Sequence, residues 1–181
     1  MRGAAVGLVL LALAAPAQAE ILKFMIPSEK GLSAKWWPKV PALPGWHQDM
    51  GASEHFSLNA LAPDGSTFAR AEAVMLAKAN YKPRQPKITT LAQLVEDDRK
   101  STLAVLPDAR ITSLPDMKDA DGKRLVVRAF APGKDGKGNW EAVAYGEEGD
   151  FFVIFTLSAR SQKSYQQNLK AFEMLVARYA Q

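Results

Sequence analysis

Two histidines and their acidic neighbours are the first candidates for chemistry, in Trp46-His47-Gln48-Asp49-Met50-Gly51-Ala52-Ser53-Glu54-His55. Neutral imidazoles and a carboxylate can ligate a zinc-type ion, and a loop between His47 and His55 could bring them together with Asp49. That set would suit a metal-assisted hydrolase. The spacing matches no helical i, i+4 histidine pair, however, so hydrogen-bonded or surface histidines are expected, with no metal and no cofactor. Ser53 and Ser57 bracket His55, but nucleophilic catalysis needs a serine activated by a base that a third group orients. No G-x-S-x-G elbow occurs. No catalytic residue is assigned, and the chain is read as a non-enzyme.

Other motifs dissolve on inspection. Gly133-Lys134-Asp135-Gly136-Lys137-Gly138 lacks the Ser or Thr and the following helix of a phosphate cradle, and reads as a hairpin tip. In Asp119-Ala120-Asp121-Gly122, a calcium loop with Gly122 sixth would put Met117 first and Arg128 twelfth; neither coordinates calcium. Adjacent Asp97 and Asp98 would point about 100° apart on a helix, so they cannot converge on one substrate. Asp98 lies in line with Leu91, Leu94, Val95 and Thr102, where a carboxylate needs a partner that the sequence does not name.

Trp36, Trp37 and Trp46 are the strongest recognition signal. Rigid aromatics on a Pro-rich segment can anchor a protein partner or stack on a sugar ring. Trp36, Trp37, Trp46, His47, Asp49 and His55 are therefore the candidate binding residues. The favoured occupant is an envelope protein partner, and the alternative is a glycan on the Trp cluster.

The elements that must hold these residues follow from periodicity. Ile21 to Ile26 reads as a short strand, and residues 27–54 as irregular with at most one helical turn, because prolines and glycines punctuate them. His55 to Leu61 leads into the turn Pro63-Asp64-Gly65-Ser66, and Thr67 to Lys78 returns as a strand, although its alanines would also suit a helix. Thr90-Leu91-Ala92-Gln93 is a capping box opening a helix that Pro107 closes. Arg110 to Met117, Lys123 to Phe130, Trp140 to Tyr145 and Phe151 to Leu157 form an antiparallel meander. Phe151-Phe152-Val153-Ile154-Phe155 is apolar at every position, so that strand is dry on both faces. Ser161 then caps a helix carrying Tyr165, Leu169, Phe172, Val176 and Tyr179 on one stripe. The expectation is an α+β fold, a three-layer α/β/α sandwich around a mainly antiparallel sheet.

Arg2, the apolar run Ala4 to Ala15 and Ala17-Gln18-Ala19 have the order of a secretory signal peptide. The expected organisation is a leader at 1–19 and one domain at 20–181, periplasmic or secreted after cleavage near Ala19. No later stretch is long and apolar enough to span a membrane. With no cysteine in the chain, packing alone must hold the domain in an oxidising compartment. The formal charge of +4 is spread over mixed acidic and basic residues, without the basic aromatic stripe of a nucleic-acid binder.

The leader, the Pro63-to-Ser66 turn, the capped helix, the meander and Phe151-to-Arg160 running into a terminal helix together resemble the PsbP/Mog1-like superfamily, over roughly 55–179. That resemblance implies an α/β/α sandwich and a non-catalytic role in binding or assembly. It carries no metal ligand onto His47 or His55. The expected function is an exported binding or accessory protein of a bacterial-type envelope.

Overall fold

Phe151 to Phe155 lies in the middle of the sheet, as an unbroken apolar run requires. The computed structural model describes residues 21–28 and 31–180, and the leader expected at 1–19 lies outside them. Along the described chain run β1 (Ile21–Ser28), β2 (Gly31–Pro38), β3 (Trp46–Gln48), α1 (Met50–Phe56), β4 (Asn59–Pro63) and β5 (Ala73–Tyr81). After a 3-10 turn at Lys82–Arg84 come α2 (Leu91–Val105), β6 (Arg110–Lys118), β7 (Arg124–Ala131), β8 (Trp140–Glu148), β9 (Phe151–Ala159) and α3 (Gln162–Arg178). The fold is α+β. The main sheet has seven strands in the order β3-β4-β5-β9-β8-β7-β6, all paired antiparallel, and β1 and β2 form a separate hairpin. No helix among the described residues is long and apolar enough to cross a membrane.

The last strand is thus inserted between β5 and β8, pairing with both along its whole length. Alternation along β9 sends Val153, Phe155 and Leu157 into one apolar cluster and Phe152 and Ile154 into another. The first cluster is the larger. It joins Met75, Leu125 and Val127 to Phe172, Leu175, Val176 and Tyr179 of the α3 region. Ala73, Ala77 and Ala79 of β5 and Ala142 and Ala144 of β8 are buried on the same side. Small side chains there leave room for the large α3 rings, which is why an alanine-rich text forms a strand. Each large side chain buried here contributes roughly 1.5–3 kcal/mol.

Two caps behave as their sequence indicates. The Thr90 hydroxyl accepts from Gln93 N at 3.2 Å, and Gln93 Oε1 accepts from Thr90 N at 3.1 Å. Ser161 Oγ accepts from Ser164 N at 3.2 Å to start α3.

The N-terminal third departs from expectation. The described part of residues 27–54 is largely regular, with Gly31, at φ +100, opening β2 where it pairs back on β1. Prolines sit at the end of β2 and in the 39–45 connection, where no ladder donor is required. His55 lies in α1, not in a strand; Ser57 ends that helix in the left-handed conformation at φ 58. The return strand begins at Ala73 instead of Thr67, since Arg70 N and Ala71 N both bond to Thr67 O in a local turn.

Trp37 is the principal correction. It is only 2% exposed and stacks on Phe24 with ring centroids 3.7 Å apart, so it belongs to the interior and not to a contact surface. Period-two alternation puts its neighbour Trp36 on the other face of β2. Trp37→Ala should cost about 3–5 kcal/mol in urea unfolding, the usual loss for a buried aromatic. An unchanged midpoint would contradict this placement.

Candidate functional site

The six candidate binding residues do not converge on one surface. Asp49 caps α1: Oδ1 accepts from Ala52 N at 3.0 Å and Oδ2 from Phe68 N at 2.9 Å. Those backbone donors hold its carboxylate below the usual range, and both oxygens are already engaged. His47 is exposed on β3, with Nδ1 3.4 Å from Asp64 Oδ1. His55 is exposed on α1, edge-on to Phe56 with ring centroids 4.7 Å apart. Trp46 is half-buried against the larger core. Among the described residues, no group of three or more His, Asp or Glu side chains is placed to hold a metal ion.

Trp36 lines a sizeable cavity. It packs on Tyr81 and Phe151, with centroids at 5.1 and 6.0 Å, and the Arg84 guanidinium lies 4.5 Å over its ring. Arg84 Nη1 also donates to Ala34 O at 2.8 Å, which fixes the stacked cation. Around this pair opens a cavity of about 370 Å3, walled by Trp36, Tyr81 and Phe56, with Lys35, Lys78 and Arg84 as its charges. Among the described residues, no carboxylate lines it. Its location follows from strand lengths. β4 pairs with β5 only from Met75 to Ala77, so Lys78 to Tyr81 have β9 on one side and this cavity on the other. His55 contributes only at second hand, through its contact with Phe56 in the wall.

A polar cluster occupies the α2-facing side of the sheet, adjoining the Trp36 cavity at Lys78, Asn80 and Gln85. Asp98, whose partner the sequence left unnamed, accepts a short hydrogen bond from the Tyr145 hydroxyl. Burial, reinforced by that carboxylate, pushes the Tyr145 phenol well up and keeps it protonated. Asn139 Nδ2 donates to Ser158 Oγ at 2.9 Å, and Ser158 Oγ donates to Glu141 Oε1 at 2.7 Å. Burial raises the Glu141 carboxyl above its usual range; the Ser158 bond lowers it, Asp98 raises it and Lys78 lowers it. The cluster ties α2 to β8 and orders the start of β8. Strand alternation predicts the shared face of Glu141 and Tyr145, but their partners come from elements distant in sequence.

Because its pKa is raised in the folded state, Glu141 favours folding below the ordinary value of 4.5, and that advantage is lost as the pH rises through the folded value. Glu141→Gln should therefore gain stability relative to the unsubstituted chain as the pH climbs across that window, read as the difference in Tm between the two. A difference that stays constant with pH would contradict the burial of this carboxyl.

No protein-family model matches the chain, and a search of curated proteins finds no match.

Proposed function

We propose that the chain is an exported, non-catalytic binding or accessory protein of the cell envelope, and that it engages an acidic segment of a partner protein at the Trp36 cavity. The observation that carries this reading is the cavity's composition: among the described residues, three cations and three aromatic rings line it, with no carboxylate. Such a wall favours an acidic occupant electrostatically and offers flat apolar surface for its side chains. β4 stops short of Lys78 to Tyr81 and β2 packs beside β5 there, so the occupant is held by the aromatic and cationic side chains of the wall.

The contact surface proposed from sequence is thereby narrowed to Trp36, and it gains Arg84, Tyr81 and Phe56. Trp46, His47, Asp49 and His55 act as structural neighbours in this reading. The α+β fold, with α2 and α3 contributing to clusters on opposite sides of β9, supports a three-layer α/β/α sandwich of the PsbP/Mog1-like type. Export rests on the leader-like residues 1–19.

Arg84 is exposed, so replacing it tests binding with little risk to the fold. Immobilised wild-type chain should retain an acidic protein from envelope extract, more weakly as salt is added. Arg84→Gln should weaken retention roughly tenfold, the equivalent of about 1.4 kcal/mol, with an unchanged Tm. Equal retention by the variant, or retention indifferent to salt, would remove the proposal.

A further inference from the structure

The face of the sheet under α2 is covered less completely than the face under α3. Leu94 is the one buried residue of α2, whereas α3 buries Phe172, Leu175 and Val176. Two further ties hold α2 down, the Tyr145–Asp98 hydrogen bond and a 3.1 Å bond from Leu91 N to Glu147 Oε1. Beside this tethered helix the sheet is left open. A cavity of about 480 Å3 lies between one edge of α2 and β6–β7, within the roughly 300–1,000 Å3 range of small-molecule sites.

Its shape follows from two periodicities. Leu91, Val95 and Arg99 recur every fourth residue, so they form one row along α2. Val126, Arg128 and Phe130 recur every second residue, so they form a row along β7, with Ile111 of β6 beside it. Between two such rows lies a trough, not a round pocket. Phe130 also lines a second cavity of about 430 Å3, which follows α2 onward past Thr102 and Leu106. The trough itself suits a narrow, apolar occupant, and the second cavity, bordered by Asn139 and Glu141, is more polar.

The charges specify its headgroup. Arg99 is neutralised by Glu96, with Nε and Nη2 donating to the two carboxylate oxygens at 2.8 Å each. Arg128 is half-buried in the floor, and among the described residues no carboxylate forms a salt bridge with it. Its hydrogen bond runs from Nη1 to Val127 O at 2.9 Å. The trough thus combines apolar walls with one cation that lacks a carboxylate partner. A neutral lipid would leave that cation uncompensated, and a dianion would exceed it.

We infer that the trough between α2 and β7 binds a free, single-chain amphiphile with a monoanionic headgroup, such as a medium-chain carboxylate, with the headgroup at Arg128 and the chain along Val95, Ile111 and Phe130. This site is separate from the Trp36 cavity, so the two readings stand or fall independently. Dodecanoate, kept below its micellar concentration and titrated calorimetrically into the full chain, is the probe. Binding at one molecule per chain is expected. Arg128→Gln should weaken it roughly tenfold, and Ala92→Trp, at an exposed position on the trough wall, should block it. Arg84→Gln should leave it unchanged. Dodecanol should bind wild type about as weakly as dodecanoate binds Arg128→Gln. Absence of binding, which would leave the trough to a partner's helix, overturns the inference. So does undiminished binding by Ala92→Trp, or equal affinity of wild type for dodecanoate and dodecanol.

Discussion

A strand with no polar position along its middle must be hidden from water on both faces, and the fold is arranged around that requirement. β9 meets it sideways by pairing with β5 and β8 along its full length. It meets it above and below through two apolar clusters divided by the alternation of its side chains. The cost of failing is large, because Phe152, Val153, Phe155 and Leu157 are all fully buried and each is worth about 1.5–3 kcal/mol. The chain leaves this strand to the end of the meander, so the centre of the sheet closes only when residues far apart in sequence meet. Such long-range pairing is slow to form, since loop closure must precede the contacts that offset it.

The two faces solve the problem differently. On the α3 side, alanines in β5 and β8 let large rings approach closely, and the space is filled. Gly146 belongs to the same arrangement: an added Cβ would stand 3.2 Å from both Leu125 and Val153 side chains. On the α2 side, a mixed row of Glu141, Val143 and Tyr145 meets a helix with one buried residue. Polar ties take over part of the work of packing there. A hydrogen bond is directional and contributes about 1 kcal/mol, so it positions a helix without filling the space beside it. Open volumes lie along α2 and at the end of β5 that β4 does not reach.

How much of this can be read from residues alone depends on the range of the interaction. The apolar run of β9, the Thr90–Gln93 capping box and the α3 stripe are local patterns whose physical cause lies within a few residues. The β1–β2 hairpin is hidden by its prolines, which suggest irregularity until the pairing partner is known. Trp36 and Trp37 look alike as a pair, and only their placement in a strand separates the cavity wall from the interior. His47 and Asp49 look like metal ligands by type, but Asp49 is fully engaged by the backbone amides of Ala52 and Phe68. Asp98 stands out as a carboxylate on an apolar stripe, yet Tyr145 lies 47 residues away and no local rule connects them. The trough is partly legible, since Val126-x-Arg128-x-Phe130 places a cation between apolar residues on one strand face. That α2 would leave that face open is a tertiary fact.

The central claim is the inequality of the two faces of β9, and native-state amide hydrogen exchange tests it most directly. Amides of β9 and α3 should exchange only through global unfolding, with free energies that match the denaturant value. Those of α2 from Val95 to Thr102 should exchange through a smaller, local opening with distinctly lower protection. If the α2 amides are protected to the same global limit as Phe152 to Phe155, both faces are packed alike and the account fails.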